Sequence, residues 1–223
     1  MFKLGTDAVL LAHFANTSRT TRAADLGSGT GVVAILLALD APALTIDCVD
    51  ILPEAVALTA ENAAHNGLER VRAHHADICA IREVLPAGAY DLVVSNPPYF
   101  PAGSGFRASS DIADAREESF CTLDDVCRAA GYLLRWGGRF ALVHRPERLA
   151  EIIVSMAKHG IEPKRLRMVV PSAARAPSLV LIEGRRGGNP GLEILAPLIL
   201  QDECGEESSE MREIYHRKSK GIF

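Results

Sequence analysis

Short apolar runs alternate with longer stretches of helical period through most of the chain. Arg22 to Leu26 reads as a short buried strand, and Gly31 to Leu39 as a helix rich in Val, Ala and Leu. Leu44 to Val49 predicts a second strand. Pro53 to His65 predicts a helix, with proline at its first position and Asn66-Gly67 as its stop. Arg70 to His75 and Tyr90 to Ser95 read as the third and fourth strands, the latter apolar at Leu92-Val93-Val94. Asp124 to Leu134 predicts a helix, and Gly138 to Val143 a strand that begins after a turn at Gly137-Gly138. Glu147 to His159 predicts a helix closed by Gly160, and Arg165 to Val170 and Leu179 to Glu183 are the last clear strands.

This repetition gives βαβ units and a mostly parallel sheet, and strands so apolar fit a sheet covered by helices on both faces. A parallel crossover needs about a dozen residues. The link Pro171 to Pro177 is shorter, so the last two strands should form an antiparallel hairpin. Leu192 to Leu200 reads as an edge strand interrupted at Pro197, and Glu206 to His216 as a terminal helix. The expected fold is α/β and Rossmann-like, with seven strands in one domain spanning residues 1–223. Within it, 1–20 is an N-terminal segment, 21–190 the core and 191–223 a C-terminal extension.

Candidate chemistry lies where strands end. Asp25-Leu26-Gly27-Ser28-Gly29-Thr30-Gly31 follows the first strand and opens a helix, the context in which glycines are informative. The spacing is GxGxG, which disfavours a nicotinamide dehydrogenase. An acid at the tip of that strand would repel a pyrophosphate but suit an ammonium or sulfonium. Asp50 ends the second strand, where a carboxylate accepts from ribose hydroxyls or prepares the helix at Pro53. Asp77-Ile78 follows the third strand. Asp77 could accept from an adenine amino group with Ile78 against the ring, and a turn aspartate reads equally well. Asn96-Pro97-Pro98-Tyr99 follows the fourth strand and is the most specific signal. Its prolines end the ladder and free carbonyls. The Asn96 amide oxygen and a proline carbonyl can then accept from one NH₂ group, while Tyr99 offers a face for stacking.

These four motifs together resemble the class I S-adenosylmethionine-dependent methyltransferases that act on amines. More narrowly, Lys3-Leu4-Gly5-Thr6-Asp7-Ala8-Val9-Leu10-Leu11 and Arg116-Glu117 resemble the tRNA(Val) adenine-N6 methyltransferase family. The resemblance implies S-adenosylmethionine as cofactor. Gly27, Ser28, Gly29 and Gly31 would wrap its methionine part near Asp25, Asp50 with Ile51 would hold the ribose, and Asp77 with Ile78 the adenine. Thr6-Asp7 would close over it, and Asn96, Pro97, Pro98 and Tyr99 would hold the target amine. Family members usually have further residues before Lys3, a departure that leaves N-terminal substrate contacts open.

The resemblance implies N6 methylation of an adenine in tRNA. A glutamine-N5 methyltransferase acting on a release factor uses the same motif, but its helical N-terminal domain has no room here. A DNA adenine methyltransferase would need a target-recognition domain. A non-catalytic cofactor- or RNA-binding module would not need Asn96-Pro97-Pro98-Tyr99.

Charge changes the picture last. The net charge of −4 speaks against a basic nucleic-acid binder only when taken whole. Residues 1–99 carry 6 basic and 11 acidic side chains, whereas 132–191 carry 11 basic and 4 acidic. If the second set forms one face, it supplies phosphate contacts. Candidate substrate residues are Phe100, Arg107 and Arg116 before, in and after the loop 101–114, and Lys164, Arg165 and Arg175 near the last strands. Trp136 reads as a packing anchor before a base platform. The five scattered cysteines fit a reducing, cytoplasmic setting, no apolar run suits a membrane, and no His/Cys spacing suits a metal. A monomer is expected.

Overall fold

The computed structural model describes residues 5–97 and 121–219. The candidate residues Pro98, Tyr99, Phe100, Arg107 and Arg116, and the loop 101–114, lie outside the described residues.

The chain starts with a helix that the periodicity did not reveal, α1 (Thr6–Phe14), buried at Ala8 through Ala12 and at Phe14. There follow β1 (Arg22–Leu26), α2 (Val32–Asp40), β2 (Thr45–Asp50), α3 (Pro53–His65), β3 (Val71–His75), a 3-10 turn (Ile78–Glu83) and β4 (Tyr90–Ser95). Beyond residue 120 come α4 (Leu123–Leu133), β5 (Leu134–His144), a 3-10 turn (Pro146–Arg148), α5 (Leu149–Lys158), β6 (Ile161–Val170) and β7 (Leu179–Arg186). The tail adds β8 (Glu193–Ile194), β9 (Leu198–Ile199) and α6 (Ser209–Ser219).

Local chemistry explains these boundaries. Thr122 and Asp125 form a reciprocal capping box that starts α4. Pro53 supplies the fixed φ of the first position of α3. The nearly continuous apolar run of α2 suits a helix packed between the sheet and its neighbours, and five of its nine residues are buried.

One sheet runs β3-β2-β1-β4-β5-β7-β6-β8, with β9 also on β6. Among the described residues it has nine strands where seven were expected, because the tail adds two short pieces parallel to β6. The expected antiparallel hairpin is β6–β7, and β7 lies between β5 and β6. Gly137-Gly138 does not precede β5 but lies inside it. Tyr90 pairs with Leu134 and Leu92 with Arg139, so the extra residues are accommodated as an irregularity at Gly137, whose φ is +79°.

Two cores cover the two faces. One joins α1, α2, α3 and α6 to Ala23, Ile46, Leu92 and Val143. The other joins α4, α5 and the first 3-10 turn to Leu26, Val93, Phe140 and Ile182. Strand order reverses between β1 and β4, and a reversal of this kind opens a crevice at the carboxyl ends of the strands.

Candidate active site

The glycine loop leaves β1 and folds across the end of β2. The N–H groups of Gly27 and Ser28 both donate to the Val49 carbonyl, at 2.8 and 3.1 Å. Gly27, Gly29 and Gly31 have φ of +72°, +56° and +78°, the left-handed region where a side chain is strained. At Gly31 the demand is also steric, since a Cβ would sit 2.8 Å from the Thr59 methyl.

Asp50 ties this loop to the turn that starts α3. Oδ2 accepts from Gly29 N–H at 2.8 Å and Oδ1 from Leu52 N–H at 3.0 Å. Two residues of α3 that the motif reading overlooked hold the loop from behind. Thr59 Oγ1 donates to the Gly29 carbonyl and Asn62 Nδ2 to the Thr30 carbonyl, each at 3.0 Å. The signal that could have found them is their spacing of three along one face of α3.

Asp25 is buried, and its Oδ2 has no hydrogen-bond partner among the described residues. Burial pushes its carboxyl up to about 7, against the pull of the Ala34 backbone N–H, and the charge of Asp50 adds to the rise. An orphaned buried carboxylate oxygen at a ligand crevice suits a cation such as the ammonium or sulfonium of S-adenosylmethionine. Asp77 accepts from Cys79 N–H at 2.7 Å and so caps the 3-10 turn, as the turn reading allows, with Ile78 half-buried beside it. Ile51 is exposed.

The tip of β4 is tied to β1 by Ser95 Oγ, which donates to the Leu26 carbonyl at 2.7 Å. This sets Asn96 and Pro97 beside the glycine loop. Ser95 pairs with Leu142, so His144 ends β5 just past that level. No motif in the sequence singles out His144. It is buried, its Nδ1 accepts from Arg145 N–H at 2.7 Å, and burial, reinforced by the charge of Arg148, lowers its pKa to about 4. It is therefore neutral at neutral pH.

Thus Asp25, the glycines, Asp50, Asp77, Asn96 and Pro97 share the carboxyl edge of four adjacent strands. Thr6 and Asp7 begin α1, whose far end leads into β1 at the amino edge. Lys164, Arg165 and Arg167 are each held by other parts of the fold. Arg165 donates to Glu183 at 3.2 Å and to the Phe14 carbonyl at 2.8 Å and stacks on Phe14. Lys164 donates to the Asn189 carbonyl at 3.0 Å, and Arg167 forms a double hydrogen bond to Glu210 in α6. These three stitch β6 to its surroundings. Of Lys164, Arg165 and Arg175, it is Arg175, in the exposed link from β6 to β7, that lies on the edge carrying Asn96. Among the described residues no cluster of His, Cys, Asp or Glu could hold a metal, and no helix is long and apolar enough to cross a membrane.

A sheet that reverses at β1 and β4, with a three-glycine loop and spaced carboxylates at the reversal, defines a class I methyltransferase. The family described as methyltransferase small domain matches residues 4–158. The chain is 34% identical over 217 residues to a tRNA1(Val) (adenine(37)-N6)-methyltransferase of Dickeya chrysanthemi, covering 94% of this chain and 85% of that one. It is 35% identical over 189 residues to a protein of the same name from Aeromonas hydrophila, covering 84% and 78%. Among solved structures, a predicted O-methyltransferase from Agrobacterium tumefaciens superposes with a TM-score of 0.78 at 20% identity, over 96% of this chain and 97% of that one. The chain belongs to the methyltransferase small-domain family, and it is an S-adenosylmethionine-dependent methyltransferase.

Proposed function

We propose that the chain methylates the exocyclic N6 amine of an adenine in tRNA. Relatives that carry this activity in their names support the reading over most of their length. The observation that carries it is the seating of Asn96-Pro97 at the end of β4, locked to β1 through Ser95 and beside the glycine loop. We take Asp25 as the partner of the cofactor's cationic amino group, Asp50 as the ribose acceptor and Asp77 as the adenine acceptor. Each oxygen of Asp50 can still accept beyond its backbone bond.

S-adenosylmethionine supplies a methyl already activated on a sulfonium. What the chain must do is position and deform the amine. An amine conjugated to a ring is a poor nucleophile. Acceptance of its two hydrogens by Asn96 Oδ1 and the Pro97 carbonyl draws the nitrogen toward tetrahedral geometry and aims its lone pair. Both contacts strengthen as positive charge develops on the nitrogen, so they favour the transition state over the bound substrate. The target base must leave its stack, which costs least in a single-stranded loop. In this reading the enzyme works in the cytoplasm as a monomer.

The test is transfer of labelled methyl into an extract that contains undermodified tRNA and release factors. Label in the tRNA fraction supports the reading. Label in a release-factor-sized protein would transfer it to glutamine chemistry.

A further inference from the structure

On the edge of the sheet opposite Asn96, a groove of about 790 Å³ opens between the ends of α4 and α5 and the beginnings of β4 and β5. Its cations come from five elements: Arg82 from the first 3-10 turn, Arg128 from α4, Arg135 from β5, Lys158 from α5 and Arg186 from β7. No aspartate or glutamate is among its described lining residues. Three of the cations also hold carboxylates, Arg128 with Asp125 at 2.7 Å, Arg135 with Asp91 at 2.5 Å and Lys158 with Asp124 at 2.9 Å. The groove wall itself carries five cations and no carboxylate among its described residues.

Aromatic groups complete the groove. Arg82 stacks on the Tyr132 ring at 5.2 Å, and Trp136, packed against Gly187, is 76% exposed on the rim. An indole so exposed, bordered by cations, suits a base or sugar as well as phosphate. β4 is six residues long, which separates the groove from Asn96 by roughly 20 Å at about 3.3 Å per residue. An RNA that reaches both places must run along the side of the sheet.

We propose that this groove is a second RNA contact, one that binds the phosphate backbone of the substrate's stem while the target base lies at Asn96. The inference rests on the tRNA reading above. It places Arg135, Lys158 and Arg186, three of the 11 basic side chains of residues 132–191, at the amino edge of the sheet rather than on β6.

Two variants test it, Arg82→Gln with Lys158→Gln, and Trp136→Ala alone. All three side chains are exposed, and melting temperature confirms that each variant folds. Binding is measured to full-length tRNA and to a short hairpin carrying only the target loop, across a salt series. The double variant is expected to weaken full-length tRNA binding about tenfold and lower its salt slope by about 1.4–1.8, since each phosphate contact contributes about 0.7–0.9. Trp136→Ala is expected to weaken full-length binding about fivefold with the slope kept. Hairpin binding and S-adenosylmethionine affinity should stay within about twofold for both. Unchanged affinity and slope for full-length tRNA overturn the proposal, and so does an equal loss on the hairpin. If the wild-type chain methylates protein and neither binds nor methylates tRNA, the functional reading itself falls, and the proposal with it.

Discussion

At Asp25, burial opposes the charge that a cationic cofactor would stabilise. With a pKa of about 7, the carboxylate is only partly ionised at neutral pH. A ligand that needs the ionised form binds in proportion to its population. Affinity for S-adenosylmethionine should therefore rise about tenfold between pH 6 and 8 and level off above, measured by calorimetry. Asp25→Asn should weaken binding and remove the pH dependence, whereas a flat wild-type profile would refute the role. This acid was legible from its place before the glycines. Its protonation was not, because burial depends on how α2 covers the tip of β1.

Among elements, α3 does more than cross between β2 and β3. Its Thr59 and Asn62 hold two carbonyls of the glycine loop, which keeps the Gly29 N–H aimed at Asp50. Removing one such hydrogen bond costs about 1 kcal/mol, close to fivefold in an equilibrium. Thr59→Val should raise the S-adenosylmethionine dissociation constant by about that factor and leave turnover at saturating cofactor nearly unchanged. A large loss of turnover with unchanged affinity would contradict a loop-holding role. The boundaries of α3 and β4 were readable because Pro53, Asn66-Gly67 and Asn96-Pro97 punctuate them. α1 was not, since apolar side chains on nearly every side of a nine-residue helix leave no stripe to detect. Nor was the start of β5, where a Gly-Gly pair that resembles a turn is absorbed as a bulge between Leu134 and Arg139.

For the whole molecule, two buried groups pull stability in opposite directions. His144 is held near a pKa of 4, so acidification from about 6.5 charges the unfolded chain first and lowers stability through about pH 4. Asp25 is raised, so its contribution is present at acid pH and is lost as pH rises through about 7. Asp25→Asn should therefore melt with a steeper fall on acidification than wild type, since the opposing contribution is gone. Parallel curves from pH 7 to 4 would contradict this balance.

At the same scale, the sequence disclosed a charge asymmetry but not its geometry. Arg165 and Arg167 were spent within the fold on Glu183 and Glu210, while Arg135 and Arg186 reached the opposite edge. Strand pairing decides such placements, and residues far apart in the chain decide strand pairing.

Transfer of methyl into undermodified tRNA, followed by digestion to nucleosides, tests the central claim most directly. The wild-type chain should yield N6-methyladenosine, and Asn96→Ala should yield essentially none while binding S-adenosylmethionine almost as wild type does. Methyl on another position, or near-normal turnover by Asn96→Ala, would contradict the account.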